Sequence, residues 1–223
     1  MDWMPLLREA TARFAGVLAD GDLDASVPAC PDWTLRDLAD HLGGVHQWAA
    51  HAVVVGDARG EPTPAPTDQV ALARWYEASA RDLVTVLLGT PVEATAWTFG
   101  PEQVAGFWRR RQVHETLIHL YDALASQQRQ DEWTVAPEVA WDGVDEVATI
   151  FYDRQVRLER TAPLPGTLRL LPTDVEAGPI DIGPGAGVVD LPGTASDLLL
   201  ALWKRATVSD PEAARLLAMA ITP

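Results

Sequence analysis

A carboxylate and an imidazole four residues apart, Glu115 and His119, offer the most specific chemistry in this sequence. They lie within Gln112-Val113-His114-Glu115-Thr116-Leu117-Ile118-His119-Leu120-Tyr121-Asp122. The stretch holds no Gly or Pro, and apolar residues recur at Val113, Leu117, Leu120 and Leu124, which predicts a helix. Positions four apart on a helix stack on one face, one turn above the other. Glu and His at that spacing supply two metal ligands from one element. The same spacing also makes an ordinary surface pair, so the reading turns on a third ligand from elsewhere in the chain.

The remaining histidines are the place to look. All five fall in two segments, 41–51 and 114–119. Imidazoles clustered on two facing helices are what a metal site in a bundle core requires. His41 and His46 are five apart, about 140° around a helix, so they cannot both face one point. His41 shares a broad apolar arc with Leu38, Leu42 and Val45, whereas His46 neighbours Gly43 and Ala50. Periodicity does not choose between them. His51 stands near the expected helix end and is expected at the surface. Cys30 precedes a proline in a loop, with no basic neighbour to lower its pKa, and is expected to be structural.

The elements that must position these groups are mostly helical. Residues 3–19 carry Leu6, Leu7, Ala10, Phe14, Val17 and Leu18 at helical spacing, and Gly21 ends the run. A proline-punctuated loop, Val27 to Trp33, leads to Thr34, an N-cap with Asp37 at the third helical position. The second helix runs from Leu35 to about Val55. Its Gly43-Gly44 pair costs on the order of 1 kcal/mol per Gly relative to Ala. Such a pair admits a close neighbour, either a ligand or another helix. A loop over 56–66 with Pro62, Pro64 and Pro66 precedes a third helix, opened by Thr67-Asp68 and running to about Leu88, with Val70, Leu72, Trp75, Leu83, Val84 and Leu87 as its apolar positions. Residues 89–106 are expected to connect onward and to contribute a pocket wall. The fourth helix, about Val104 to Ser126, carries the Glu-His pair. A fifth helical segment runs from Pro137 to Leu158. Beyond it the chain turns rich in Pro and Gly, with brief strands at 167–171, 180–182 and 188–191. A helix from Leu198 to Arg205 follows, then one opened by Asp210 as N-cap and Pro211 at the first helical position, running to about Ile221. The expected architecture is mainly α: a four-helix bundle over 1–136, then a connecting helix and a small α+β domain over 137–223.

The composition narrows the classes of function. With 223 residues and 48% hydrophobic content the chain affords a sizeable core. A formal charge of −15 leaves no basic footprint for nucleic acid. One cysteine excludes an internal disulfide and suits a reducing cytoplasm, the expected location. The N-terminus lacks a signal-peptide pattern, and no apolar run approaches the ~20 residues of a membrane span. Nine tryptophans are many for this length, and such rings line pockets as well as filling cores.

Three segments resemble the mycothiol-dependent maleylpyruvate isomerase family, whose N-terminal part is a DinB-like metalloprotein bundle. Residues Cys30-Pro31-Asp32-Trp33-Thr34-Leu35-Arg36-Asp37-Leu38-Ala39-Asp40-His41-Leu42 are similar to its C-P-G-W-T…AHL segment. His114-Glu115-Thr116-Leu117-Ile118-His119-Leu120-Tyr121-Asp122 is similar to its R/H-E-x-x-x-H-x-x-D segment. Ala195 to Arg205 resembles A-x-D-L-L-x-x-L-x-G-R, with Lys204 where the family usually has Gly. The resemblance implies a DinB-like four-helix bundle followed by a small α+β C-terminal domain. It implies His41, Glu115 and His119 as ligands of zinc or another divalent metal, nickel included. His46 and Trp48 become candidates for binding thiol or substrate, and Asp122 for orienting a liganding His through its outer side. Arg205 becomes a candidate catalytic residue that clamps a carboxylate or steadies an enolate, the alternative being a cation on helix-end carbonyls.

The resemblance further implies that the fourth metal position takes the sulfur of mycothiol, which zinc deprotonates. In the isomerase of that family the thiolate adds to a double-bond carbon of maleylpyruvate, and rotation precedes expulsion of the thiol. Without expulsion the same apparatus is a thiol S-transferase. The implied partners are a small-molecule thiol and an electrophile, in a monomer or homodimer. Rival readings are a non-catalytic, metal-bearing ligand-binding protein and a metal-assisted hydrolase using zinc-bound water.

Overall fold

The computed structural model describes residues 1–223. The chain forms two compact units, Met1–Trp133 and Thr134–Pro223.

The first unit is a bundle of four helices: α1 (Trp3–Asp20), α2 (Leu35–Val54), α3 (Gln69–Gly89) and α4 (Ala105–Ser126). Helices α1 and α2 each pack against both α3 and α4. The apolar stripes meet inside: Leu7, Phe14 and Leu18 of α1, Leu35, Leu38 and Leu42 of α2, and Leu72, Leu83 and Leu87 of α3 are fully buried. Each such side chain contributes about 1.5–3 kcal/mol by leaving water. Val70 is the exception among the apolar positions expected on α3. It lies in the first turn and is 58% exposed.

Local chemistry sets the helix starts. Thr34 and Asp37 form a reciprocal capping box that opens α2: Thr34 Oγ1 accepts from the Asp37 amide, and Asp37 accepts from the Thr34 amide at 2.8 Å. Asp68 caps α3, accepting from the Ala71 amide at 2.9 Å. Helix α4 has no side-chain cap. Its first amides instead reach back to the preceding loop, Ala105 to the Ala94 carbonyl at 2.8 Å and Gly106 to that of Val92 at 2.9 Å. Residues expected as loop between α1 and α2 contain a short antiparallel pair, β1 (Ser26–Val27) and β2 (Cys30–Thr34). It places Trp33 directly before α2.

The Gly43-Gly44 pair answers to helix packing. A Cβ on Gly43 would lie 2.2 Å from the Trp75 ring of α3, so the glycine is what lets that indole lie on the α2 backbone. Trp75 Nε1 then donates to Thr63 Oγ1 at 3.0 Å, tying α3 to the 56–66 loop.

The second unit opens with α5 (Pro137–Glu146), which continues through a π-helical stretch (Val147–Tyr152) into α6 (Asp153–Arg157), so the expected helix is present but widened in its middle. A three-stranded sheet follows in the order β4 (Ile180–Ile182), β3 (Thr167–Pro172), β5 (Val188–Gly193). Strand β3 is central, antiparallel to β4 and parallel to β5. Helix α7 spans Ala195–Leu202 with Thr194 as its cap, one turn earlier than the leucine run alone suggests. Helix α8 spans Pro211–Leu217, opened by Asp210 as expected but ending short of Ile221.

Candidate metal centre

Helix α4 carries more buried polar side chains than a structural helix needs. Arg111, Gln112, His114, Thr116 and Asp122 are all at most 3% exposed. Burying polar groups is costly unless they are paired, and Arg111 and Asp122 find partners in Glu115 and His119.

Glu115 and His119 lie one turn apart on α4, and α2 packs against that helix. His119 Nε2 stands 3.3 Å from Glu115 Oε1, and His41 Nε2, from α2, stands 3.5 Å from the same oxygen. One ligand atom from each of the three residues falls within 4.8 Å of the other two. These separations exceed the 2.7–2.9 Å of a charge-assisted hydrogen bond. The two separations from Glu115 Oε1 lie close to the edge of a tetrahedron built on bonds of 2.0–2.1 Å, about 3.3 Å. The donor set, two imidazole nitrogens and one carboxylate oxygen, suits a borderline-soft divalent ion and leaves a fourth position open.

Each imidazole has a distinct environment. Asp122, wholly buried, accepts from His119 Nδ1 at 3.0 Å, which directs the Nε2 lone pair toward Glu115 and His41. Its burial removes the alternative of a plain surface ion pair. Burial, with a smaller contribution from His119, pushes the His41 pKa from 6.5 down to about 4, so its ring is a neutral donor at physiological pH. Trp33 packs over both rings, with centroids 4.8 Å from His41 and 6.5 Å from His119. Glu115 Oε2 receives the guanidinium of Arg111, four residues back on α4. Neither Trp33 nor Arg111 was singled out as a site residue from the sequence. Arg111 was legible as an i−4 partner of Glu115, whereas the position of Trp33 depends on the short β-hairpin.

His46 takes a different position. It is fully buried, and its Nδ1 and Nε2 lie 2.8 Å from Gln112 Oε1 and 3.3 Å from Tyr76 Oη. Both nitrogens face core partners, so His46 does not line an open cleft. Burial pushes its pKa from 6.5 to about 4. Trp48 does line one: a cleft of about 440 Å³ bounded by His41, Gly44, Trp48, Pro62, Thr63 and Pro64. That volume suits a small-molecule ligand. Its far wall is the 62–64 segment, not the 89–106 connection. The connection supplies Trp97, which packs behind Trp48 at 5.5 Å together with Trp108 at 5.1 Å. His51 is half-buried and lies 2.9 Å from Asp57 Oδ1, with no part in the cluster.

Arg205 belongs to the second unit. Its amide donates to the Leu200 carbonyl at 2.7 Å and its Nη1 to the Trp203 carbonyl at 2.5 Å, closing the end of α7. The turn requires a left-handed residue, and Lys204 adopts it at φ +62° where the family pattern has Gly. The helix has therefore ended before Arg205.

Two solved structures are similar to this chain: the mycothiol-dependent maleylpyruvate isomerase, at TM-score 0.65 and 15% identity, and a mutant of that enzyme, at TM-score 0.66 and 16% identity. Each comparison covers 89% of this chain and 86% of the other, and at such identity it establishes a shared fold. No curated protein sequence matches. The sequence profile of the mycothiol maleylpyruvate isomerase N-terminal domain matches residues 4–124, more than half of the chain and nearly all of the bundle that holds His41, Glu115 and His119. The chain belongs to the mycothiol maleylpyruvate isomerase family.

Proposed function

We propose that the protein is a divalent-metal enzyme that uses a low-molecular-weight thiol, mycothiol, for cis–trans isomerisation of a small electrophile or for S-transfer to it. The supporting observation is the convergence of His41 Nε2, Glu115 Oε1 and His119 Nε2 within 4.8 Å, with Asp122 behind His119. Family membership and the fold shared with a mycothiol-dependent isomerase point to the thiol.

In this reading His41, Glu115 and His119 hold the ion, zinc by donor type. A zinc ion bound there supplies Lewis acidity, which lowers the pKa of a coordinated thiol so that it reacts as thiolate. The rest falls to the chain. His41 and His119 coordinate as neutral rings, and Asp122 fixes the tautomer of His119. Trp33 packs on both rings and limits their rotation. Trp48, Pro62 and Pro64 offer an apolar wall beside His41 for one of the two small molecules. Arg205 enters through the likeness of its segment to the family, as the group that clamps an anionic substrate.

The test is metal content and thiol consumption on one protein. Protein purified without a metal-affinity tag is expected to carry about one zinc per chain, and His41→Ala and Glu115→Ala to lose it. Full metal content in both variants overturns the site. Consumption or catalytic recycling of mycothiol on addition of electrophile, abolished with the metal, supports the enzyme. Tight thiol binding without turnover supports a binding protein instead.

A further inference from the structure

Glu115 has two carboxylate oxygens, and the structure gives them different tasks. Oε1 faces both imidazoles, at 3.5 Å from His41 Nε2 and 3.3 Å from His119 Nε2. Oε2 is taken by Arg111, whose side chain is only 4% exposed. Arg111, Glu115 and His119 form a ladder at i, i+4 and i+8 on α4, so backbone spacing holds all three in register. A guanidinium carries donors only and cannot lose its proton, so it draws an acceptor oxygen of the side chain at position 115 toward itself.

We propose that Arg111 is a positioning residue for the metal site: it holds Glu115 Oε2 and thereby makes Glu115 a one-oxygen ligand. This rests on the reading of His41, Glu115 and His119 as metal ligands. The consequence is geometric. A free carboxylate can close on an ion with both oxygens and fill the position that a thiol needs. With Oε2 held, that position stays open, and Oε1 is pre-placed at a tetrahedral edge from both nitrogens. The plain alternative is that Glu115 serves Arg111, as the counter-charge that a buried guanidinium requires. The two differ in what they expect of an isosteric amide at position 115.

In Glu115→Gln a single amide oxygen replaces the two carboxylate oxygens, so Arg111 and the imidazole side of the site compete for it. If Arg111 dictates the orientation, the NH2 group turns to the imidazoles, and it is not a metal ligand. Glu115→Gln is then expected to bind zinc as poorly as Glu115→Ala. Adding Arg111→Met releases the amide oxygen, and the double variant is expected to bind at least about tenfold more tightly than Glu115→Gln alone, the scale on which groups behind metal ligands act. Exchanging both members of a buried pair for neutral residues is also the change that a fold tolerates best. Arg111→Lys keeps charge and donor, and is expected to stay within about threefold of the natural protein.

Zinc affinity is read by chelator competition on the full-length chain, with folding checked by circular dichroism. The visible absorption of the cobalt-loaded form is the second readout. Arg111→Met frees Oε2 and is expected to weaken that absorption, as coordination number rises above four. The proposal is overturned if Glu115→Gln keeps near-natural affinity, since its fold is isosteric and needs no second substitution. It is equally overturned if the folded double variant binds no better than Glu115→Gln. Failure of the unsubstituted protein to bind zinc or cobalt removes the metal site itself, and this inference with it. The other outcomes bear on Arg111 alone.

Discussion

Replacing Asp122 separates a residue that tunes the site from one that merely fills the core. Its carboxylate is wholly buried and stands 3.0 Å from His119 Nδ1. Asp122→Ala removes the acceptor, so His119 can turn or change tautomer and no longer offers Nε2 in a fixed direction. Partners behind liganding histidines are worth about 10–100-fold in metal affinity, or roughly 1.4–2.7 kcal/mol. Asp122→Asn keeps an acceptor oxygen and loses only the charge, so it belongs at the lower end and Ala at the upper. Leaving the buried His119 N–H without its partner costs a further ~1–3 kcal/mol of fold stability in Ala, with or without metal. Zinc competition against a chromogenic chelator measures the first quantity, and denaturant melts of the metal-free chain the second. Stability loss with zinc affinity equal to that of the natural protein would refute the reasoning, because Asp122 would then serve the core only.

Three more outcomes are expected. The His46 pKa falls from 6.5 to about 4 on folding, so the unfolded chain takes up the proton first. Stability from this residue is complete above about pH 6.5 and is lost as pH drops toward 4. The loss from His46 reaches roughly 3 kcal/mol, so His46→Gln should lose less stability than the natural protein in melts at pH 7.5, 5.5 and 4, the share from His41 remaining in both. Gly43→Ala places a methyl 2.2 Å from the Trp75 ring. Overpacking of about 1–3 kcal/mol is set against a helix-propensity gain of about 1 kcal/mol, and a net fall in Tm is expected. Lys204→Gly relieves a left-handed residue at φ +62° and should raise stability by about 1 kcal/mol in the same melts, without touching zinc content.

Much of the bundle was legible because its signals are local. The Thr34/Asp37 box, the Asp68 cap and Asp210-Pro211 each act within four residues, and each sits where its spacing places it. Likewise the 3.6-residue rhythm of apolar side chains marks the buried faces of α1 and α2. Ends that depend on other parts of the chain were harder to read. Helix α4 starts without a cap, on carbonyls of the preceding loop. Helix α7 ends early because Lys204 turns left-handed.

The site divides in the same way. Spacing along one helix is a property of the chain, so Glu115 and His119 stand together on any α4 that forms, with Arg111 one turn before them. Which histidine of α2 joins them is not such a property. His41 and His46 are five residues apart on one helix, and only the packing of α2 against α3 and α4 turns His41 to Glu115 and buries His46 between Gln112 and Tyr76. Family resemblance named His41 where periodicity could not. The tertiary structure supplies the reason: a helix presents all of its faces at once, and its neighbours decide which becomes core and which becomes site.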